Sequence, residues 1–235
     1  MANPKVAALQ SWLNLKGMKP QLTVDGLGGP ATRAAIITLF ANRFAPAIPP
    51  DELVTIADRL GCTVRQLLAV AQVESSGGGF DLQGRPKILW ERHYFWKRVQ
   101  LRIPLVSDPA PGGYTLDAND NGVNDSWEKL AMAACRNPAA AFESASWGKF
   151  QIMGAWWDKL GYSSAAEFAW SMRESEAAHY ESLVRYVERF GLTAAIRAID
   201  GNPANCAAFA RGYNGPQFAK FNYDGKIAAA WRKLG

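Results

Sequence analysis

The chain has 235 residues, of which 49% are hydrophobic and 20% are charged. This composition is typical of a globular protein with one large or two unequal domains, and it excludes the disordered and fibrous classes. The net charge of +5 favours an acidic partner, but Lys and Arg are scattered without a polybasic run, so nucleic-acid binding is not expected.

The sequence shows no export or membrane signal. Its first residues lack the basic region and apolar core of a secretory signal, and no apolar run is long enough to span a bilayer. Cys62, Cys135 and Cys206 are odd in number and widely spaced, which fits reduced thiols in a protein made in a cytoplasm. We therefore expect a cytoplasmic product without stable membrane insertion, and a monomer by default.

Residues 1–44 are predicted to form a small domain. Apolar residues recur at helical spacing at Val6, Leu9 and Leu13. Lys16-Gly17 then predicts the end of this first helix, and Pro30 the start of a second. The apolar positions of the second helix are read as Ala34, Ile37, Leu39 and Phe40. So small a core is typical of a binding module attached to a larger protein.

The same segment resembles the three-helix peptidoglycan-binding domain of many cell-wall hydrolases. The residues that match its motif are Leu9, Gln10, Leu13, Asn14, Gly17, Val24, Asp25, Gly26, Gly29, Pro30, Thr32, Ala35 and Ile36. Gly28 departs from the motif, because the family prefers phenylalanine there. The resemblance implies binding to peptidoglycan through residues 1–44.

Residues 45–51 are predicted to be a linker and residues 52–235 a larger, mainly helical domain. The segment ANRFAPAIPPDE contains three prolines, which favours a stiff, extended connection. Asp51 is expected to cap a helix that continues to Leu60 and ends at Gly61.

Glu74 lies where the next helix is predicted to end. The helix VRQLLAVAQV has an apolar stripe and is followed by Ser75, Ser76 and three consecutive glycines. Unpaired carbonyls, the helix dipole and a partly apolar wall should all raise the pKa of Glu74. A carboxyl that stays protonated near neutral pH suits the cleavage of a glycosidic bond. The alternative is a solvated glutamate that precedes a helix C-cap.

Glu91 is the second candidate carboxylate. The stretch FDLQGRPKILWERHYFW is rich in aromatic and β-favouring residues around Gln83-Gly84, which predicts a β-hairpin with Glu91 on its second arm. A carboxyl at a helix end and one on a strand form the usual pair for glycoside hydrolysis. The alternative is a surface ion pair with Arg92.

Two further segments offer candidate substrate contacts. Gln151 is polar among apolar neighbours in SASWGKFQIMG, which is predicted to precede an aromatic helix with Trp156 and Trp157. Tyr213 and Asn214 are predicted to end a helix before Gly215-Pro216. The alternatives are a hydrogen-bonded core glutamine and a helix-stop sequence.

Taken in order, these segments resemble the lysozyme-like superfamily of goose-type lysozymes and lytic transglycosylases. VESSGGGF, ILWERHYF and SASWGKFQIMG are most similar to the N-acetylmuramidase family of phage endolysins. The resemblance implies a mainly α (α+β) fold: a three-helix binding domain and a helical catalytic domain with a short β-hairpin region. It implies Glu74 as general acid and Glu91 as second catalytic carboxylate, with Gln151, Tyr213 and Asn214 lining the glycan cleft.

The expected activity is hydrolysis of the β-1,4 bond between N-acetylmuramic acid and N-acetylglucosamine, which causes bacterial lysis. A carboxyl separation of ~5 Å would indicate retention, and one of ~6.5–9.5 Å inversion. A lytic transglycosylase or a non-catalytic wall-binding phage protein remain the alternatives, and Glu91 argues for hydrolysis. Only two histidines, His93 and His179, are present, without metal-ligand spacing, so a zinc amidase is not expected.

Residues 117–128 match the calcium-loop pattern D-x-[DN]-x-[DN]-G-x5-E. The candidate ligands are Asp117, Asn119, Asn121, the Val123 carbonyl, Asp125 and Glu128. The alternative is a polar surface loop whose Asp125 caps the next helix. Catalysis by this route requires no cofactor, so calcium would be structural.

Overall fold

The computed structural model describes residues 2–74, 78–115 and 117–235, and the fold is mainly helical, as predicted. The helices are α1 Pro4–Leu15, α2 Pro30–Leu39, α3 Pro50–Leu60, α4 Val64–Glu74, α5 Arg92–Val99, α6 Asp125–Ala134, α7 Pro138–Glu143, α8 Ala165–Ser171, α9 Glu176–Arg189, α10 Thr193–Arg197, α11 Pro203–Asn214 and α12 Tyr223–Lys233. The strands are β1 Ile88–Trp90, β2 Ala145–Trp147 and β3 Ile152–Met153. Two short 3-10 helices cover Gly154–Trp156 and Phe218–Phe221.

The chain forms two compact units. The first contains Met1–Phe44 and Phe80–Arg173, and the second contains Ala45–Gly79 and Glu174–Gly235. The predicted domain boundaries at residues 44 and 52 stay sequence-based predictions.

In the first unit, residues of the predicted peptidoglycan-binding motif hold α1 and α2 together. The buried side chain of Gln10 donates to Asp25 Oδ1 at 2.9 Å and to Thr32 Oγ1 at 3.1 Å. Its Oε1 accepts hydrogen bonds from the backbone amides of Asp25 and Gly26. The buried amide of Gln10 on α1 thus forms hydrogen bonds to α2 and to the turn between the two helices. These motif residues therefore stabilise the fold of the segment.

The buried face of α2 differs from the prediction. The residues buried on this helix are Thr32, Ala35 and Ile36, followed by Phe40, whereas Ala34 is exposed and Ile37 half-buried. The hydrogen bond between Gln10 and Thr32 turns this face inward, so a polar residue occupies a core position that apolar periodicity did not indicate.

An aromatic core joins residues 1–44 to residues 80–173 within the first unit. The fully buried ring of Phe40 lies 5.1 Å from that of Trp127, 5.9 Å from Trp147 and 5.4 Å from Trp170, between ring centroids. The indole of Trp12 donates to Glu167 Oε1 at 2.7 Å. The N-terminal segment and residues 80–173 therefore share one hydrophobic core.

The three strands form one antiparallel sheet in the order β1-β2-β3, with Ile88 opposite Trp147 and Trp147 opposite Ile152. The predicted turn at Gln83-Gly84 is present, with Gly84 at φ +76°. The predicted second arm is wrong beyond Trp90, because the chain enters α5 there.

The hairpin of the sheet is β2–β3, in the segment that had been predicted only to precede an aromatic helix. The predicted aromatic helix is also wrong: Gly154–Trp156 is a single 3-10 turn, and Trp157 follows it. β1 pairs with β2 across more than fifty residues of sequence, which local patterns do not report.

The second unit contains α3, α4 and α9 to α12, with α4 and α11 packed on α12. Gly61 ends α3 in the left-handed conformation, at φ +63°, as predicted. Asp51 does not cap this helix, because Pro49 is the N-cap and Pro50 the first helical residue. None of the described helices has the length and hydrophobicity needed to cross a membrane.

Candidate active site

Glu74 is the last residue of α4, as predicted, and belongs to the second unit. The helix buries Leu67, Val70 and Ala71 and packs on α12, which fixes the position of its C-terminal end. The predicted helix stop at Ser75, Ser76 and Gly77 lies outside the described residues.

The Asn214 amide holds both oxygens of the Glu74 carboxylate. Its Nδ2 donates to Oε1 at 3.1 Å and to Oε2 at 3.2 Å. Burial raises the pKa of Glu74 to about 7, against the lowering effects of the Asn214 hydrogen bond and the Lys226 charge. Burial is the cause that raises this pKa, whereas the predicted effects of the helix dipole and of unpaired carbonyls do not appear among its causes. Glu74 is therefore a carboxyl that exchanges its proton near neutral pH.

The charge of this carboxyl acts on two tyrosines of the second unit. The ring of Tyr213 stacks on Phe209 with 5.6 Å between centroids and meets Tyr186 edge-on at 5.0 Å. Burial, and next the negative charge of Glu74, raise the pKa of Tyr213 well above its ordinary value and raise that of Tyr223 as well. Both phenols thus remain neutral beside Glu74. The structure brings Glu74, Tyr213 and Asn214 together, all three of which were predicted as site residues.

Glu91 lies at the junction of β1 and α5 in the first unit, as the N-cap residue of α5. It is therefore not on a hairpin arm. Its backbone amide donates to the Ser144 carbonyl at 2.9 Å, which ties the junction to the residue before β2. Arg92 does not pair with it, because its guanidinium donates to the carbonyls of Ala110 and Pro111.

The Glu91 carboxylate meets two side chains. The Tyr114 hydroxyl donates to Oε2 at 2.9 Å. The buried Nδ1 of His93 lies 3.2 Å from the same oxygen, without the alignment of a hydrogen bond. Burial lowers the pKa of His93, as do Lys97 and Arg92, while Glu91 opposes them. His93 is accordingly neutral at pH 7.

Tyr114 and the contact of His93 with Glu91 are not among the residues and contacts that the sequence predicts. His93 is two residues beyond Glu91, so proximity in the chain could have suggested it. Tyr114 lies beyond α5 and the irregular segment that follows it, and no local pattern marks it as a partner of Glu91.

Gln151 lies in the turn between β2 and β3 at φ +49°. Its Oε1 accepts a hydrogen bond from Ser146 Oγ at 2.7 Å, and its Nε2 donates to the Gly148 carbonyl at 2.9 Å. These bonds stabilise the turn. A role for Gln151 in substrate binding stays a prediction.

The predicted calcium loop is closed by its own hydrogen bonds. Asp117 accepts from the backbone amides of Asn121 and Gly122, each at 3.0 Å. The Asn119 and Asn121 side chains donate to Glu128, at 3.4 and 2.8 Å. Within the described ranges, no group of three His, Cys, Asp or Glu side chains is arranged to hold a metal ion.

The helix after this loop is capped by a different residue from the one predicted. Asn124 is the N-cap of α6, and its side chain accepts from the Ser126 amide at 2.7 Å. The buried Asp125 is the first residue of the helix, and its carboxylate accepts from the Ala118 amide. Asp125 therefore closes the loop from inside the helix.

A family model described as Muramidase: N-acetylmuramidase matches residues 63–235. The crystal structure of a Burkholderia AP3 phage endolysin is similar over 99% of this chain and 95% of that chain, with a TM-score of 0.70 and 32% identity. None of the curated proteins matches. The segment matched by the family model contains Glu74, Glu91, Gln151, Tyr213 and Asn214.

Proposed function

The chain belongs to the N-acetylmuramidase family and is a peptidoglycan hydrolase, and we propose that Glu74 and Glu91 carry the hydrolysis. The observation that carries this proposal is the pKa of Glu74, which burial raises to about 7. A glycosidic oxygen leaves as an alcohol only if an acid protonates it, and such an acid works best when its pKa is near the working pH.

Glu74 would donate its proton to the oxygen between N-acetylmuramic acid and N-acetylglucosamine. Tyr213 and Asn214 would line the glycan cleft beside it, since Asn214 donates to Glu74 and Tyr213 precedes Asn214 at the end of α11. Asn214 would also orient the carboxyl, because its amide donates to both oxygens.

Glu91 would act in its ionised form, either activating water or stabilising the positive charge that develops on the sugar. The neighbouring hydroxyl of Tyr114 supports this role, because a donor at 2.9 Å stabilises a carboxylate. Gln151 would contact the glycan from the β2–β3 turn, and residues 1–44 would contribute binding to the wall.

Mass spectrometry of muropeptides released from purified peptidoglycan tests this assignment. Wild-type protein should release reducing-end N-acetylmuramic acid, and Glu74→Gln and Glu91→Gln should each abolish or greatly reduce the release. Glu52→Gln, on the first turn of α3, is the matched control and should be active. Anhydro-muramic ends that persist in Glu91→Gln would indicate a transglycosylase. If the wild-type protein leaves the glycan intact, the chain is a non-catalytic wall-binding protein.

We further propose that the protein is a monomeric endolysin that accumulates in the host cytoplasm and needs a membrane-permeabilising partner to reach the wall. The similarity to a phage endolysin over nearly the whole of both chains supports a role in host lysis. Expression in a bacterium with and without a holin tests it. Lysis that begins only with the holin is expected, whereas lysis without it would contradict cytoplasmic retention.

A structural calcium ion in residues 117–128 is a separate proposal, carried by the match to the loop pattern. Asp117, Asn119, Asn121, the Val123 carbonyl, Asp125 and Glu128 would hold it. Its binding would have to displace the amide hydrogen bonds to Glu128, so a weak affinity is expected.

Calcium should raise the melting temperature of the wild type, and Glu128→Gln should abolish this increase while Glu143→Gln keeps it. If the melting temperature of the wild type is the same in calcium and in chelator, residues 117–128 are a polar surface loop that does not bind calcium.

A further inference from the structure

Tyr114 reaches Glu91 from residues 110–115, a segment without helix or strand that we call the strap. Two basic residues anchor the strap by its carbonyls. Arg92 donates to Ala110 O at 2.9 Å and to Pro111 O at 3.0 Å, and Lys129 donates to Gly113 O at 2.8 Å. Because Arg92 follows Glu91 directly in the chain, the strap is fixed to the same junction that presents the carboxylate.

The hydrogen bond runs from the phenol to the carboxylate. Burial raises the pKa of Tyr114, and its hydrogen bond to Glu91 and the charge of Glu91 raise it further. Tyr114 is thus a neutral donor throughout the neutral range. Tyr114 as a whole residue is 41% exposed.

Both described side-chain contacts of the Glu91 carboxylate go to the same oxygen, Oε2. A carboxylate held at one oxygen loses rotational freedom and presents the other oxygen in a defined direction. His93 packs beside it as a neutral ring, so the directed hydrogen bond comes from Tyr114.

We propose that Tyr114 is a positioning residue, which holds Oε2 of Glu91 so that Oε1 faces the reacting centre. This inference rests on the proposed function, in which Glu91 is the second catalytic carboxylate. Tyr114 acts through Glu91, and the anchors at Arg92 and Lys129 keep its hydroxyl in place.

Tyr114→Phe tests the proposal because it removes one hydroxyl and keeps the ring. We expect kcat for release of reducing ends from peptidoglycan to fall about tenfold or more, with KM and melting temperature unchanged. Tyr162→Phe is the matched control: its ring also belongs to the first unit, where it packs on Phe168, and its kcat should equal that of the wild type.

A double-mutant cycle separates this inference from the function on which it rests. If Tyr114 acts through Glu91, then Tyr114→Phe should not reduce the residual rate of Glu91→Gln any further, as measured in prolonged digests. Full activity in Glu91→Gln would overturn the role of Glu91 itself. An impaired Glu91→Gln with a wild-type kcat in Tyr114→Phe would overturn only the positioning role. If Tyr114→Phe reduces the rate by the same factor in the wild type and in Glu91→Gln, the positioning role is overturned as well.

Discussion

The Asn214 amide nitrogen lies 3.1 and 3.2 Å from the two carboxylate oxygens of Glu74, and so donates to a carboxyl that burial would otherwise keep protonated. The hydrogen bond favours the ionised form and burial the protonated form. Their balance places the pKa of Glu74 at about 7. Asn214 thus contributes to the proton affinity of the carboxyl beside it.

The alkaline limit of activity should follow Glu74. A general acid works only while protonated, so kcat/KM should fall as the pH rises through about 7. Asn214→Ala and Lys226→Gln each remove an effect that lowers the pKa of Glu74, so both should move this limit to higher pH, Asn214→Ala by more. Lys233→Gln, at the end of α12, should leave the limit in place. A limit that stays put in Asn214→Ala would contradict this assignment.

Glu74 should also make stability depend on pH. Its folded-state pKa of about 7 exceeds the ordinary glutamate value of 4.5, so its stabilising contribution is complete below pH 4.5 and is lost as the pH rises through 7. Glu74→Gln resembles the protonated form and should lose nothing over this range. The free energy of unfolding of the variant minus that of the wild type should therefore be larger at pH 8 than at pH 4, by roughly 3 kcal/mol. Urea unfolding of both proteins at the two pH values measures this. The same difference in unfolding free energy between the two proteins at pH 4 and pH 8 would argue against a raised pKa.

Features that depend on neighbours in the chain could be predicted from the sequence. Gly61 ends α3 because glycine adopts the left-handed conformation at little cost, and Pro30 opens α2 because its missing amide is not needed there. Glu74 was placed correctly for the same reason, since it ends a clear apolar stripe. Its burial next to Asn214 required the packing of α4, α11 and α12.

Features set by distant contacts could not be predicted. The sequence predicts Glu91 as a strand residue because aromatic residues surround it. In the structure, however, α5 begins directly after Glu91, where the pairing of β1 with β2 ends. Tyr114 has no local signal of its contact with Glu91. The buried Thr32 is another case, because polarity alone suggests an exposed position whereas its partner Gln10 makes burial favourable.

Phe40 should be among the most important core residues of the first unit. Its ring is fully buried among Trp127, Trp147 and Trp170, so Phe40→Ala should cost about 3–5 kcal/mol of unfolding free energy. Phe44→Ala is the matched control, because Phe44 is 94% exposed, and its cost should stay within about 0.5 kcal/mol. Chemical denaturation measures both. Equal small costs would mean that residues 1–44 do not share a core with residues 80–173.

The close approach of Gly28 to Cys135 provides a second test of the contact between residues 1–44 and residues 80–173. A Cβ atom added here would collide with Cys135 Cβ and with the Cys135 carbonyl oxygen, so this position has no room for the phenylalanine of the binding-domain motif. Gly28→Ser should therefore cost about 1–3 kcal/mol through overpacking against the end of α6.

The adjacent Gly29 provides the control, because a Cβ there meets nothing within 4 Å and its φ of −88° suits any residue. Gly29 is the N-cap of α2, where serine is favoured, so Gly29→Ser should be neutral or slightly stabilising. Differential scanning calorimetry of the two variants compares them directly. Equal melting temperatures of the two variants would show that the loop before α2 moves away from α6 at little cost in stability.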